Sequence, residues 1–419
     1  MLFSRYLAAE WRPALGCTEP AAIAHAAALA ASQAAGAVRR VALTVDARTY
    51  KNCYAVGIPN SGHRTGILWA LAIGAHIDDP SLGLECFRRT DEATLASASA
   101  LLARGGLAVQ VEPRQSTLWI DCTVEREGGT GRAVLAREHT RLARLEANGR
   151  VVSSLEGDAA GEEPHSCRQQ MAEMSFDELI RFARSLGEED RKTLRHGATL
   201  NVTIARRGLS LFPARFVDAA SQDSLTRISR LVCAGVYARM SGEPDLVMSL
   251  AGSGNKGITC SVPLTLWGRE AGFSDEQIDE ALALACLVTS ATTHHLGSLS
   301  AVCGCSNAAG IGLSSGLVLL EGGGSAQISL AVNNMVGNIT GMICDGAKIG
   351  CALKTMTGVD AAFRSASLAL SGIGIPVSDG IVGVDGRSSL ANLGRIASCG
   401  MTRVDAEILE IMQAKLERQ

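Results

Sequence analysis

The sequence predicts an α+β fold: a mixed α/β N-terminal part with a small β-rich layer, then a larger, mostly α-helical C-terminal part. Three observations carry this. Between about residues 107 and 155 the segments LAVQVEP, TLWIDCTVE, RAVLAREH and RLARLEA are separated by glycine and charged turns, the pattern of short strands. From about residue 168 onward apolar residues recur with a helical period in run after run. Of the 419 residues 47% are hydrophobic but only 4% aromatic, so the cores are built of Ala, Leu, Val and Ile, which suits close helix packing. That length suggests two or three domains with ample cores.

Taken in order, the chain to about residue 36 reads as helical, with a break at Pro13 to Pro20. The run Ala21 to Val38 is mainly alanine and carries His25, Ser32 and Gln33, which makes it a poor bilayer helix and a good tightly packed one. Val38 to Val45 alternates like a strand, and Gly57 to Gly62 is a turn-rich loop. Residues 65–76 and 91–104 read as helices before the β-rich layer begins. Glu156 to His165 is polar, acidic and contains Pro and Gly, which makes it the best linker or surface excursion. It separates a mixed part, 1–165, from a helical part, 166–419, and the opening helix is free to pack on the second. Helical runs follow at 175–187, 222–240, 276–292, 308–321, 325–340, 359–371 and 403–417.

With 39 basic and 42 acidic residues the formal net charge is −3, which argues against a general attraction to nucleic acid or anionic lipid. Met1 to Glu10 lacks an export signal, so the expectation is a cytoplasmic protein. Its thirteen cysteines should be mostly reduced thiols, too sparse over this length for a disulfide scaffold. No membrane or nucleic-acid partner is expected; a homo-oligomer is compatible with the sequence.

Four segments interrupt Ala/Gly-rich surroundings with reactive residues. In Leu15-Gly16-Cys17-Thr18-Glu19-Pro20, Thr18 or Glu19 can cap a helix that starts at Pro20. Cys17 then precedes a helix N-terminus, where the macrodipole favours a thiolate; the plainer alternative is a small buried cysteine. The second segment is Cys303-Gly304-Cys305 with Cys344 and Cys351. Thiolates suit iron–sulfur clusters or zinc, but a continuous helix would separate positions 344 and 351 by about 10.5 Å. The two glycines between them allow a wrapped loop instead, and the absence of a CxxC pair disfavours a zinc ribbon. Equally, this chain uses cysteine freely in its interior.

Ala251-Gly252-Ser253-Gly254-Asn255-Lys256-Gly257 matches GxGxxG, but Ile258 to Pro263 is a poor helix start for a dinucleotide site. A loop holding a small carboxylate, or a plain tight turn, reads better. Asn60-Ser61-Gly62-His63-Arg64-Thr65 is either an anion site at a helix start or a solvated, well-capped loop. His294-His295 are adjacent, do not face one way on a helix, and default to structural histidines.

Together GCTEP, the GSGN-x-GI loop, LSAVC before a small-residue helix, and MICDGAK-x-x-CALK resemble the L-cysteine desulfidase family. That family was long labelled an uncharacterised one and is related to the iron–sulfur L-serine dehydratases. The resemblance runs from about residue 10 to the C-terminus. It implies a [4Fe–4S] cluster held by Cys303, Cys344 and Cys351 with one iron left open, and no pyridoxal phosphate. Cys305 substitutes or simply packs. Cys17 corresponds to the family's additional functional cysteine, as catalytic base or resting-state ligand. Ser61 and His63 are loosely similar to the Ser-Ser-His loop of the serine dehydratases, and Ser253 and Asn255 become candidates for binding a small amino-acid substrate. The implied reaction is α,β-elimination of L-cysteine to pyruvate, ammonia and sulfide. L-serine is the runner-up substrate, and a non-catalytic redox sensor is the alternative of another class.

Overall fold

The computed structural model describes residues 2–112, 115, 117–154, 167–218, 223–297 and 299–416. The acidic segment Glu156 to His165, read above as a linker, lies outside the described residues.

The chain opens with helix α1 (Phe3–Glu10), strand β1 (Trp11–Leu15), α2 (Thr18–Ala31), β2 (Val38–Asp46), α3 (Ala47–Cys53), α4 (Ile67–Gly74) and α5 (Glu92–Ala103). The strands β3 (Leu107–Glu112), β4 (Trp119–Arg126), β5 (Gly129–Ala136), β6 (Leu142–Ala147) and β7 (Arg150–Ser154) follow. Next come α6 (Cys167–Glu173), α7 (Phe176–Ala183), α8 (Glu188–Gly208), α9 (Ala214–Asp218), α10 (Ser224–Ser241) and β8 (Leu246–Leu250). The last elements are α11 (Gly254–Glu270), α12 (Asp275–Leu296), α13 (Asn307–Leu320), α14 (Ser325–Ile339), α15 (Cys351–Leu370), α16 (Gly386–Arg395) and α17 (Val404–Leu416). The α+β expectation holds.

Six strands form one sheet in the order β3-β2-β4-β5-β6-β7, parallel only between β2 and β3. Alternation explains it: along β4 the buried positions Ile120, Cys122 and Val124 face α2, while the residues between them are less buried. The alanine content of α2 is what brings its backbone close to the sheet. At Gly131 of β5 a β-carbon would stand 1.9 Å from the Ala30 carbonyl oxygen.

Two large hydrophobic cores result. One lies between α2 and the sheet; the other fills the helical body, where α11, α12 and α13 are buried on nearly every face. The opening helix belongs to the helical core: Phe3, Tyr6 and Leu7 are buried there, and Tyr6 Oη lies 2.8 Å from Ser290 Oγ. The chain therefore crosses from one core to the other around Leu15 and Cys17. Among the described residues no helix is long and apolar enough to cross a membrane.

Three local readings need correction. The break at Pro13 to Pro20 contains β1, which pairs antiparallel with β8 from Trp11↔Leu250 to Leu15↔Leu246. Helix α2 begins at Thr18, not Pro20, with Cys17 at its N-cap and no side-chain cap. Ile258 to Pro263, read as a poor helix start, lies wholly inside α11. Its Thr, Ser, Val and Pro residues are weak helix formers, but all are buried, and tertiary packing overrides propensity.

Gly131→Ala should lower the urea midpoint at unchanged m-value, with a loss of about 2 kcal/mol from overpacking between α2 and β5.

Candidate active site

The crossing at Cys17 is fixed by a buried arginine. Arg239 of α10, 1% exposed, donates from Nη2 to the Gly16 carbonyl at 2.6 Å and from Nη1 to Asn255 Oδ1 at 2.8 Å. One guanidinium thus joins the start of α2 to the start of α11. Gly16, at φ +72, lies beneath Pro59 of the 57–65 loop, where a β-carbon would meet the proline ring at 2.5 Å. Thr18 Oγ1 donates to the Gly252 carbonyl at 3.5 Å, which closes the same seam.

Within the seam Cys17 Sγ donates to Glu19 Oε2 at 2.9 Å, and Glu19 also accepts from Thr18 Oγ1 at 3.0 Å and Asn52 Nδ2 at 3.1 Å. Of the two readings of Cys17, the small buried cysteine is the one the structure supports. The helix start is present, but burial first and the Glu19 charge second push the Cys17 thiol well above its usual pKa, against the pull of Arg239. Cys17 is held as a thiol hydrogen-bonded to the Glu19 carboxylate.

The second cysteine set is brought together by an isolated antiparallel bridge, Val302↔Ile343. Cys303 N donates to Met342 O at 2.8 Å and Cys344 N to Ala301 O at 2.7 Å. In that pairing Cys303 and Cys344 occupy one face of the ribbon as diagonal neighbours, roughly 7–8 Å apart. Cys351 joins them from the first position of α15, and the intervening residues form a wrapped loop rather than a helix. Three lysines fix that loop through its carbonyls. Lys51 Nζ donates to Cys344 O at 2.7 Å, Lys354 Nζ to Ile343 O at 2.8 Å, and Lys348 Nζ to Asp345 O at 3.0 Å and Gly346 O at 3.2 Å. Burial opposes ionisation of Asp345, but Lys348 and Lys354 outweigh it and hold its carboxyl at about 2.

Burial first and the neighbouring thiols second push Cys303 and Cys351 up to about 12 and Cys305 to about 11. Among the described residues no three His, Cys, Asp or Glu side chains are gathered tightly enough for a single metal ion. The soft donor set suits in kind a multi-iron cluster, in which each thiolate binds a different iron and the ring of sulfurs is wide.

The GSGN loop meets this set directly. After β8, Ala251 (φ +48) and Gly252 (φ +78) reverse the chain, and Ser253 caps α11 with its Oγ 3.5 Å from Cys305 Sγ. Among the described residues β8 pairs with antiparallel β1 and no other strand, so no parallel unit of a dinucleotide fold is formed by them here. Lys256, which the motif reading treated as a spacer, is 4% exposed. Its Nζ donates to Ala251 O at 3.1 Å and Thr293 Oγ1 at 3.0 Å, both neutral acceptors. Burial, then the charge of Arg168, pulls its pKa down to about 8. Arg168 lies against Gly252, with its Nε 2.9 Å from both oxygens of Glu10.

The other candidates are placed less centrally. The Asn255 amide is occupied by Arg239 on its oxygen and by Met240 Sδ at 3.6 Å on its nitrogen, so it holds the loop. Ser61 Oγ donates to Ile58 O at 2.6 Å and accepts from Arg64 N at 3.1 Å, closing its own turn. His63, at φ +63, is exposed. His294 and His295 sit in the last turn of α12 with rings 5.5 Å apart. Sequence reasoning missed Glu19, Arg168, Arg239 and Lys256. Of these only Lys256 left a signal, a lysine between the glycines of a loop read as holding a small carboxylate.

The profile of the serine dehydratase alpha chain matches residues 134–410. A UPF0597 protein of Geobacter sulfurreducens is 38% identical over 411 residues, 96% of each chain. A UPF0597 protein of Nitratidesulfovibrio vulgaris is 35% identical over 442 residues, 99% of each chain. One from Oleidesulfovibrio alaskensis is 38% identical over 426 residues, covering 99% of this chain and 98% of the relative.

Cys17 should react slowly with a maleimide at pH 7, whereas exposed Cys399 reacts at once. Glu19→Gln removes the charge that raises the Cys17 pKa and should speed its labelling several-fold, read by mass spectrometry of the modified peptide.

Proposed function

The chain belongs to the serine dehydratase alpha-chain family, whose name is that of a lyase, and from that premise we propose that it is an iron–sulfur-dependent L-cysteine desulfidase. The observation that carries this reading is a convergence: the Cys17–Glu19 pair, the Ser253–Lys256 loop and the cysteine set all border one seam. A redox sensor has no use for a buried lysine without a carboxylate partner beside its thiols.

A [4Fe–4S] cluster on Cys303, Cys344 and Cys351 would supply, when bound, an open Lewis-acidic iron with a soft preference for sulfur. The protein's own groups do the rest. Lys256, with Arg168 behind it, binds the substrate carboxylate and Ser253 orients it, which aligns the Cα–H bond. Cys17, as the thiolate that Arg239 favours against burial and the Glu19 charge, takes the Cα proton. The electron pair of the Cα–H bond becomes the Cα=Cβ bond as the Cβ–S bond breaks and sulfide departs. The aminoacrylate released tautomerises to an imine, which water hydrolyses to pyruvate and ammonia. No pyridoxal phosphate enters, because charge developing at Cα is relieved by the departing thiolate. L-serine, named by the family, is the second reading, with hydroxide in place of sulfide.

Protein prepared without oxygen should release sulfide and pyruvate from L-cysteine faster than pyruvate from L-serine. Pyruvate from serine alone would reverse the order of substrates. Cys17→Ala should keep its iron and lose elimination; unchanged activity would remove Cys17 as the base. Lys256→Met should raise KM at least tenfold with a smaller effect on kcat, since a charge-assisted hydrogen bond contributes about 1.5–3 kcal/mol.

A further inference from the structure

The hairpin between β5 and β6 carries a histidine that this chemistry does not use. The connection is tight: Ala136 N donates to Arg141 O at 3.1 Å, Arg137 N to Leu118 O at 2.9 Å, and Arg141 N to Glu138 O at 3.3 Å. At its tip the ring nitrogen Nε2 of His139 is sealed from solvent and has no hydrogen-bond partner among the described residues. A buried polar atom left without a partner destabilises the fold, so its persistence calls for an explanation.

Four charged groups from four parts of the fold act electrostatically on the ring: Glu19 of α2, Arg168 of α6, Asp46 at the end of β2, and Glu138 of its own hairpin. The three from other elements already have partners. Glu19 accepts from Cys17, Thr18 and Asn52. Asp46 accepts from the amides of Arg48, Thr49 and Trp119 and from Thr49 Oγ1. Arg168 is held by Glu10. Burial lowers the pKa of His139, so the ring is neutral near pH 7 and Nε2 can serve as an acceptor.

Among the described residues nothing fills that place, which leaves it for a ligand. On the desulfidase reading above, the substrate carries three polar groups. Its carboxylate is taken by Lys256 and its sulfur faces the thiols, which leaves the α-ammonium. A neutral imidazole nitrogen with the negative Glu19 nearby suits that cation. We infer that His139 Nε2 accepts a hydrogen bond from the substrate α-ammonium, making His139 the residue by which the site selects α-amino acids over acids that lack the amino group. The sheet layer then supplies one side of the substrate pocket and the helical body the other.

The test compares L-alanine with propionate, which differ only in the amino group and carry no β-leaving group. As inhibitors of the holoenzyme, L-alanine should bind the tighter. His139→Ala should narrow the ratio of their inhibition constants at least tenfold by weakening L-alanine alone, and His139→Gln, whose amide oxygen is also an acceptor, should restore part of it. An unchanged ratio in His139→Ala overturns the proposal. A second readout does not need turnover. Protein labelled at histidine Cε1 shows eight ring signals, and the one missing in His139→Gln should shift with L-alanine but not with propionate. A shift with both or with neither overturns it as well. Should the wild-type protein release neither sulfide nor pyruvate, the desulfidase reading fails separately, and the ring signal still tests whether His139 receives an amino group.

Discussion

The buried guanidinium of Arg239 is the tie on which the site depends. It joins the Gly16 carbonyl, one residue before Cys17, to the Asn255 amide in the first turn of α11. Gly254 permits that approach, since a β-carbon there would meet Arg239 Nε at 2.5 Å. Two segments more than two hundred residues apart in sequence are thereby held against one another, with the base candidate on one and, on the other, the buried lysine proposed to bind the carboxylate. Without the arginine, a carbonyl and an amide oxygen would be left unpaired in a closed interior, at the cost that buried polar groups carry.

The electrostatics around this tie have a consistent direction. Burial and Glu19 push the Cys17 pKa up against the pull of Arg239, so the group rests as a thiol hydrogen-bonded to Glu19. Lys256 is cationic, buried and bonded only to neutral oxygens, which leaves its charge to be matched by an anion from outside. Three further lysines bind carbonyls of the Ile343–Gly346 loop and set the positions of Cys344 and Cys351. Positive charge thus surrounds a group of soft donors, as an anionic thiolate-held cluster and a carboxylate substrate would both require.

Much of this was legible in the chain. Strands β2 to β6 fall on the segments read as strands, whereas β7, exposed along its length, was not among them; the four reactive segments announced themselves by their contrast with Ala/Gly-rich surroundings. Three of them, GCTEP, the GSGN loop and the cysteine set, do converge. What could not be read was which side chain in a motif faces the site. GSGNKG drew attention to Asn255, yet only the fold shows its amide turned to Arg239 while the next residue, Lys256, meets the thiols. Helix α11 was missed because its residues are weak helix formers rescued by complete burial. The state of Cys17 depended on Glu19 folding back two residues later, and His139 stands in a stretch with no motif at all. Contacts between distant segments decide each case, and these leave no periodicity to detect.

The central claim is that Cys303, Cys344 and Cys351 hold a cluster with one iron free to meet the substrate sulfur. Mössbauer spectroscopy of 57Fe-enriched protein, reconstituted without oxygen, tests it most directly. The account predicts about four irons per chain, one distinguishable from the other three and altered by L-cysteine but not by L-alanine. No retained iron, or equivalent irons indifferent to L-cysteine, would contradict it.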